Sequence, residues 1–124
     1  MKEGAKRTEN KLVLTRLETW LTAGIPDLLI CDEHGRLHLM ELKVTKGNAV
    51  DLRPHQVAFL NTHAHALTWV AVKKHPKNSA PEIYLFRGES ALDLKVEGLS
   101  GVEPVLCMKE KADWNLFWGL ISST

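Results

Sequence analysis

Cysteine is scarce in this chain: Cys31 and Cys107 are the only two, and no Cys-x-x-Cys spacing occurs. That excludes a disulfide framework, and both are expected as small buried hydrophobes in a reducing compartment. No apolar run approaches the roughly 20 residues that a membrane helix needs. No basic start followed by an apolar stretch marks a signal peptide, so a cytoplasmic protein is expected. Excess charge is lacking too, the net value being +1, so the overall balance does not announce a polyanionic partner. The charge is nevertheless clustered. Lys2, Lys6, Arg7, Lys11 and Arg16 crowd the start, Lys73, Lys74 and Lys77 form a second basic knot, and Glu89, Asp93, Glu97 and Glu103 make the later part acidic. Each basic cluster could contact phosphates or simply remain solvated.

What is present is ordinary globular composition, 44% apolar and 25% charged in 124 residues, enough for one domain with a core of its own. Residues 1 to 10 read as a polar arm and 11 to 124 as the domain. Lys11 to Glu18 is rich in β-formers and predicts a first strand. Ile25 to Cys31 and Arg36 to Thr45 are apolar runs separated by Asp-Glu-His-Gly, a hairpin signal. After a polar connection, Pro54 suits the first turn of a helix, and Val57, Leu60 and Ala64 extend it at helical spacing to about His65. Leu67 to Val72 predicts a central strand and Glu82 to Arg87 another. Signals then weaken until Trp114, Phe117, Trp118 and Ile121, which mark a short amphipathic C-terminal helix. The class is α/β, a mixed sheet with flanking helices.

The hairpin carries the chemistry. With a loop of Glu33, His34 and Gly35, and glycine at the left-handed position, Asp32 pairs with Arg36 and Asp27 stands across from Glu41. Opposed residues have Cβ atoms about 4.5–5.5 Å apart. A two-residue loop would shift the register by one and leave the pair nearly diagonal, so the cluster survives either choice. Two facing carboxylates repel unless a cation lies between them, and Mg²⁺ or Mn²⁺ suits one or two carboxylates plus waters and phosphate oxygens. Lys43 follows Glu41 on the same strand face, where an ammonium can hold a water or stabilise charge growing on phosphorus. An isolated Glu-x-Lys is commonplace on half-exposed strands. Pro-Asp, a hairpin and Glu-x-Lys in register, followed by a polar loop and a helix, are much less so.

Residues 16 to 60, with GIPDLL and ELK as the specific elements, resemble the core of the PD-(D/E)XK nuclease superfamily. They are most similar to stand-alone virus-type replication–repair nucleases and phage Holliday-junction resolvases. The resemblance implies a restriction-endonuclease-like mixed β-sheet with a catalytic β-hairpin. It also implies metal ligation by Asp27, Glu41 and the backbone carbonyl of Leu42, with Lys43 as catalytic lysine and Gln56 as a helix glutamine near the active site. Such folds usually begin with a helix carrying a glutamate. Here only about ten polar residues precede the first strand, so Glu18, or more weakly Glu9, is the candidate extra carboxylate. The C-terminal helix then either fills the vacated packing site or forms a dimer surface.

The expectation is a Mg²⁺-dependent endodeoxyribonuclease, bacterial or phage-encoded, acting on branched DNA as a homodimer. Lys46 and Arg53, flanking the loop after the active strand, are candidate phosphate contacts. The alternatives are a non-catalytic nucleic-acid-binding module on the same fold, and a restriction-type or RNA-directed nuclease. His63 and His65 face different directions on a helix and read as surface histidines, as do His55 and the turn residue His34. His38 points away from Glu41. The four tryptophans read as core or interface material.

Overall fold

The computed structural model describes residues 5–7, 12–17, 26–111 and 114–124. Among the described residues, seven strands form one sheet in sequential order: β1 (Ala5–Arg7), β2 (Val13–Arg16), β3 (Leu28–Cys31), β4 (Leu37–Thr45), β5 (Thr68–Lys74), β6 (Glu82–Arg87) and β7 (Leu106–Lys109). β4 and β5 pair in parallel and every other neighbouring pair is antiparallel. A parallel pair needs a crossover, and α1 (Pro54–Thr62) supplies it; α2 (Ala91–Glu97) lies between β6 and β7, and α3 (Trp114–Ser122) closes the chain. The sheet is therefore mixed and flanked by helices, as expected.

Period-2 alternation divides the core into two layers. On one face Val70, Val72 and Phe86 pack with Val57 and Leu60 of α1 and with Ala91 and Leu94 of α2. On the other, Ile30, Met40, Trp69, Ile83 and Leu85 pack with Phe117 and Ile121 of α3. β5 is apolar on both faces because both are covered. β4 is different. Met40 and His38 face α3, whereas Glu41 and Lys43, in register with Val70 and Val72, break into the apolar α1 face.

Several expectations need correction. Residues 5–7 of the supposed arm pair with β2 as an edge strand. The helix from Pro54 stops at Thr62, short of His65, in turns closed by the His63 and Ala66 N–H groups. α2 and β7 fill the stretch where signals faded. Neither cysteine is fully buried: Cys31 is half-buried and Cys107 exposed, and both are free. On β7, alternation turns Met108 inward and leaves Cys107 outward.

Candidate active site

The β3–β4 ladder pairs Leu28 with Met40 and Cys31 with Leu37, and extending it by one rung sets Asp27 opposite Glu41. The turn is the three-residue one. The Asp32 N–H donates to the Arg36 carbonyl at 2.9 Å, and Gly35 has φ +78°. Hydrogen-bonded and open rungs alternate in an antiparallel pair. Since Asp32 and Arg36 form a bonded rung, so would residues 26 and 42, and here residue 26 is proline. Pro26 has no N–H, so the ladder offers the Leu42 carbonyl no donor on that side. The Leu42 N–H turns to Asp27 Oδ2 at 3.0 Å. The Pro-Asp pair thus anchors the aspartate on the neighbouring strand and leaves a strand carbonyl facing the same region.

Glu41 is only 2% exposed. Burial, reinforced by the Asp27 charge, pushes its carboxyl up from an ordinary 4.5 to about 7 against the pull of Lys43. Lys43 Nζ lies 3.7 Å from Glu41 Oε2 and donates to Gln56 Oε1 at 2.9 Å. Gln56 Nε2 donates to Glu41 Oε2 at 2.9 Å, while Gln56 Oε1 also accepts the Arg53 N–H at 2.9 Å. Two donors on one end and a carboxylate on the other fix which way the amide points. The helix start is built around this contact: Pro54 presets the first turn, and Gln56 bonds back to the residue before it.

Asp27, Glu41, Lys43 and Gln56 are therefore brought together. Lys46 is not part of this cluster, being exposed just beyond the end of β4. Arg53 meets it through its backbone, the N–H donating to Gln56 Oε1 and the carbonyl accepting the Gln56 backbone N–H at 3.0 Å, its side chain being exposed. Glu18 and Glu9 lie outside the described residues. Among the described residues no group of three or more His, Cys, Asp and Glu side chains is placed to hold a metal ion. A cation here would rest on the carboxylate pair and the Leu42 carbonyl. That donor set is all oxygen, which fits a hard divalent ion.

Away from the site, the set-aside histidines are as read: His34, His55, His63 and His65 are exposed. His38 does face away from Glu41, but it is fully buried in a network that sequence reasoning missed. The Trp69 indole N–H donates to His38 Nδ1 at 3.0 Å, which puts the His38 proton on Nε2, 2.8 Å from Asp32 Oδ2. An apolar groove of about 350 Å³, lined by Leu14, Leu28, Leu42, Val44, Trp114 and Trp118 among others, opens on the α3 face. Alternation along β4 turns the Glu41 side chain to the opposite face, while Lys43 is also among the residues lining the groove. No helix among the described residues is long and apolar enough to cross a membrane. No family model, curated protein or solved structure matches this chain.

Proposed function

We propose that this chain is a metal-dependent endonuclease that hydrolyses DNA phosphodiester bonds, acting on branched substrates such as flaps and four-way junctions. The fold would be the restriction-endonuclease-like one of PD-(D/E)XK nucleases. The observation carrying this reading is the meeting of two carboxylates, Asp27 and Glu41, beside the Lys43 ammonium, with Gln56 bonded to both Glu41 and Lys43.

Asp27, Glu41 and the Leu42 carbonyl would hold Mg²⁺ or Mn²⁺. Bound there, such an ion polarises a phosphate oxygen and lowers the pKa of a coordinated water. The chain's own groups do the rest. Asp27 is pinned by the Leu42 N–H, so its carboxylate is already oriented and loses little rotamer entropy on binding. Lys43, held by Gln56, presents its ammonium where negative charge grows on the phosphoryl oxygens. Gln56 keeps the Glu41 and Lys43 termini at a fixed spacing, which limits reorganisation during reaction. One such set cuts one strand, so a symmetric junction requires two chains, most simply as a homodimer.

The test is a panel of plain duplex, single-stranded, flapped and four-way DNA, with RNA counterparts, incubated with and without Mg²⁺ or Mn²⁺. Metal-dependent cleavage is expected, falling about 10²–10³-fold or more in Asp27→Asn and Lys43→Ala, the scale of a lost charge-stabilising group. Normal nucleic-acid binding with no cleavage under either metal would overturn the reading and leave a non-catalytic binding module.

A further inference from the structure

We propose that Lys46, His75 and Lys77 form a second phosphate-binding site that seats the nucleic-acid backbone several nucleotides from the bond being cut. This rests on the nucleic-acid reading above and extends it to where the strand runs.

The site is made by topology. β4 and β5 run in parallel, so they end side by side: Thr45 and Lys74 form the last paired rung, and the His75 N–H donates to the Thr45 carbonyl at 2.7 Å. The residues that follow each strand are thereby placed together although they are distant in sequence. Lys46, His75, Pro76 and Lys77 line a cleft of about 340 Å³. Two lysines and a histidine line it, and none of the four lining residues is acidic.

These lysines differ from their neighbours in the basic knot. Lys73 is paired with Glu110 at 2.5 Å, and Lys74 donates to Asn48 Oδ1 at 3.0 Å. Among the described residues, no carboxylate forms an ion pair with Lys46 or Lys77. Exposed ammonium groups that no carboxylate neutralises stay available to a phosphate oxygen.

Lys46 is also preset. The Thr45 hydroxyl donates to the Ala49 carbonyl at 2.7 Å, and the Leu99 N–H donates to the Asn48 carbonyl at 2.8 Å, so the loop is tied at both its start and its middle. Along β4, Lys46 lies five positions past Glu41, roughly 16 Å at about 3.3 Å per residue, with Lys43 between them. Phosphates recur about every 3.4 Å of rise along one stacked strand. A strand with one phosphate at the carboxylate pair would therefore present another to the cleft some four or five nucleotides on, or fewer if unstacked. The partner chemistry is a phosphodiester backbone, read without regard to base.

The experiment measures binding, not turnover. A labelled oligonucleotide, single-stranded and duplex, is titrated with the full chain in Ca²⁺ over about 50–200 mM salt. The proteins are wild type, Lys46→Ala/Lys77→Ala, and Lys109→Ala as a comparator lysine on β7. Both substituted lysines of the double variant are exposed, and circular dichroism verifies its fold. Each phosphate contact contributes about 0.7 (single-stranded) to 0.9 (duplex) to the slope of log affinity against log salt. The double variant is expected to lose about 1.4–1.8 from that slope, with Lys109→Ala unchanged. An unchanged slope in the double variant, with wild type binding normally, overturns this site and spares the nuclease reading. No binding by wild type overturns both. A reduced slope in the double variant, alongside a wild-type protein that never cleaves with Mg²⁺, supports this site and removes the hydrolytic reading.

Discussion

At the scale of single residues, the candidate site is a problem of unbalanced charge. A carboxylate as buried as Glu41 is unfavourable unless it is partnered. Gln56 and Lys43 provide part of that partnership, while Asp27 works against it. Because the Glu41 carboxyl titrates near 7 in the fold and at about 4.5 when free, the folded chain binds the extra proton between those values. Metal-free stability should therefore fall as pH rises from about 5 to 8, by roughly 3 kcal/mol. Glu41→Gln should remove the slope in urea melts, and an unchanged slope would assign it elsewhere. Gln56→Ala should lower cleavage by about 10–100-fold, the usual effect of losing a group that orients a metal ligand, with little loss of DNA affinity; single-turnover rates check this. Asp27, Glu41 and Lys43 were legible in the sequence because pairing across a short turn is a matter of counting, whereas Gln56 was suggested only by the family resemblance. The bonds Gln56 makes were not legible, since they depend on how the loop from Lys46 to Arg53 brings α1 over the sheet.

At the scale of elements, everything turns on the register of the β3–β4 hairpin. A slip of one residue between β3 and β4 would set Asp27 opposite Met40 or Leu42, on the other face from Glu41 and Lys43, so the cluster would not survive the two-residue loop after all. Gly35 sets that register by taking a positive φ, and a Cβ built there would meet no atom within 4 Å. Gly35→Ala should thus cost only the backbone strain, about 1 kcal/mol in chemical denaturation, with cleavage preserved; Gly35→Asn should be milder. A loss well beyond that would mean the turn does more than reverse the chain. The parts of the fold that escaped sequence reading did so for physical reasons. In α2, Leu92, Leu94 and Val96 alternate with polar residues as a strand would. The chain is helical there because Ala91 and Leu94 fill the space against α1, leaving Leu92 and Val96 exposed. β1 carries no apolar signal because it is a three-residue edge strand that pairs on one side only.

At the scale of the whole molecule, the sheet separates two tasks. Its α1 face carries the polar site, and its α3 face carries a network that fastens the hairpin to the rest of the chain. Burial alone would raise the Asp32 carboxyl, but the hydrogen bond from His38, the Arg36 and His34 N–H groups and the Arg36 guanidinium outweigh it and hold it well below the usual range. Arg36 also donates to the Ser122 carbonyl at 2.7 Å and to that of Thr124, while His38 leads to Trp69 in β5. This contribution to stability is present above the ordinary carboxylate value and is lost as pH falls below it, a sign opposite to that of Glu41. Asp32→Ala should cost about 3–5 kcal/mol, as for other broken buried charge pairs, and should flatten the acid limb of a stability curve. Such a network was invisible beforehand, because Asp32 read as a turn residue and His38 as one polar position among several. The most direct measurement is calorimetric titration of Mn²⁺ into wild type, Asp27→Asn and Glu41→Gln. A single ion per wild-type chain, with binding lost in both variants, is the expected result. Equal binding by all three, or none by wild type, would mean that the two facing carboxylates do not hold a metal.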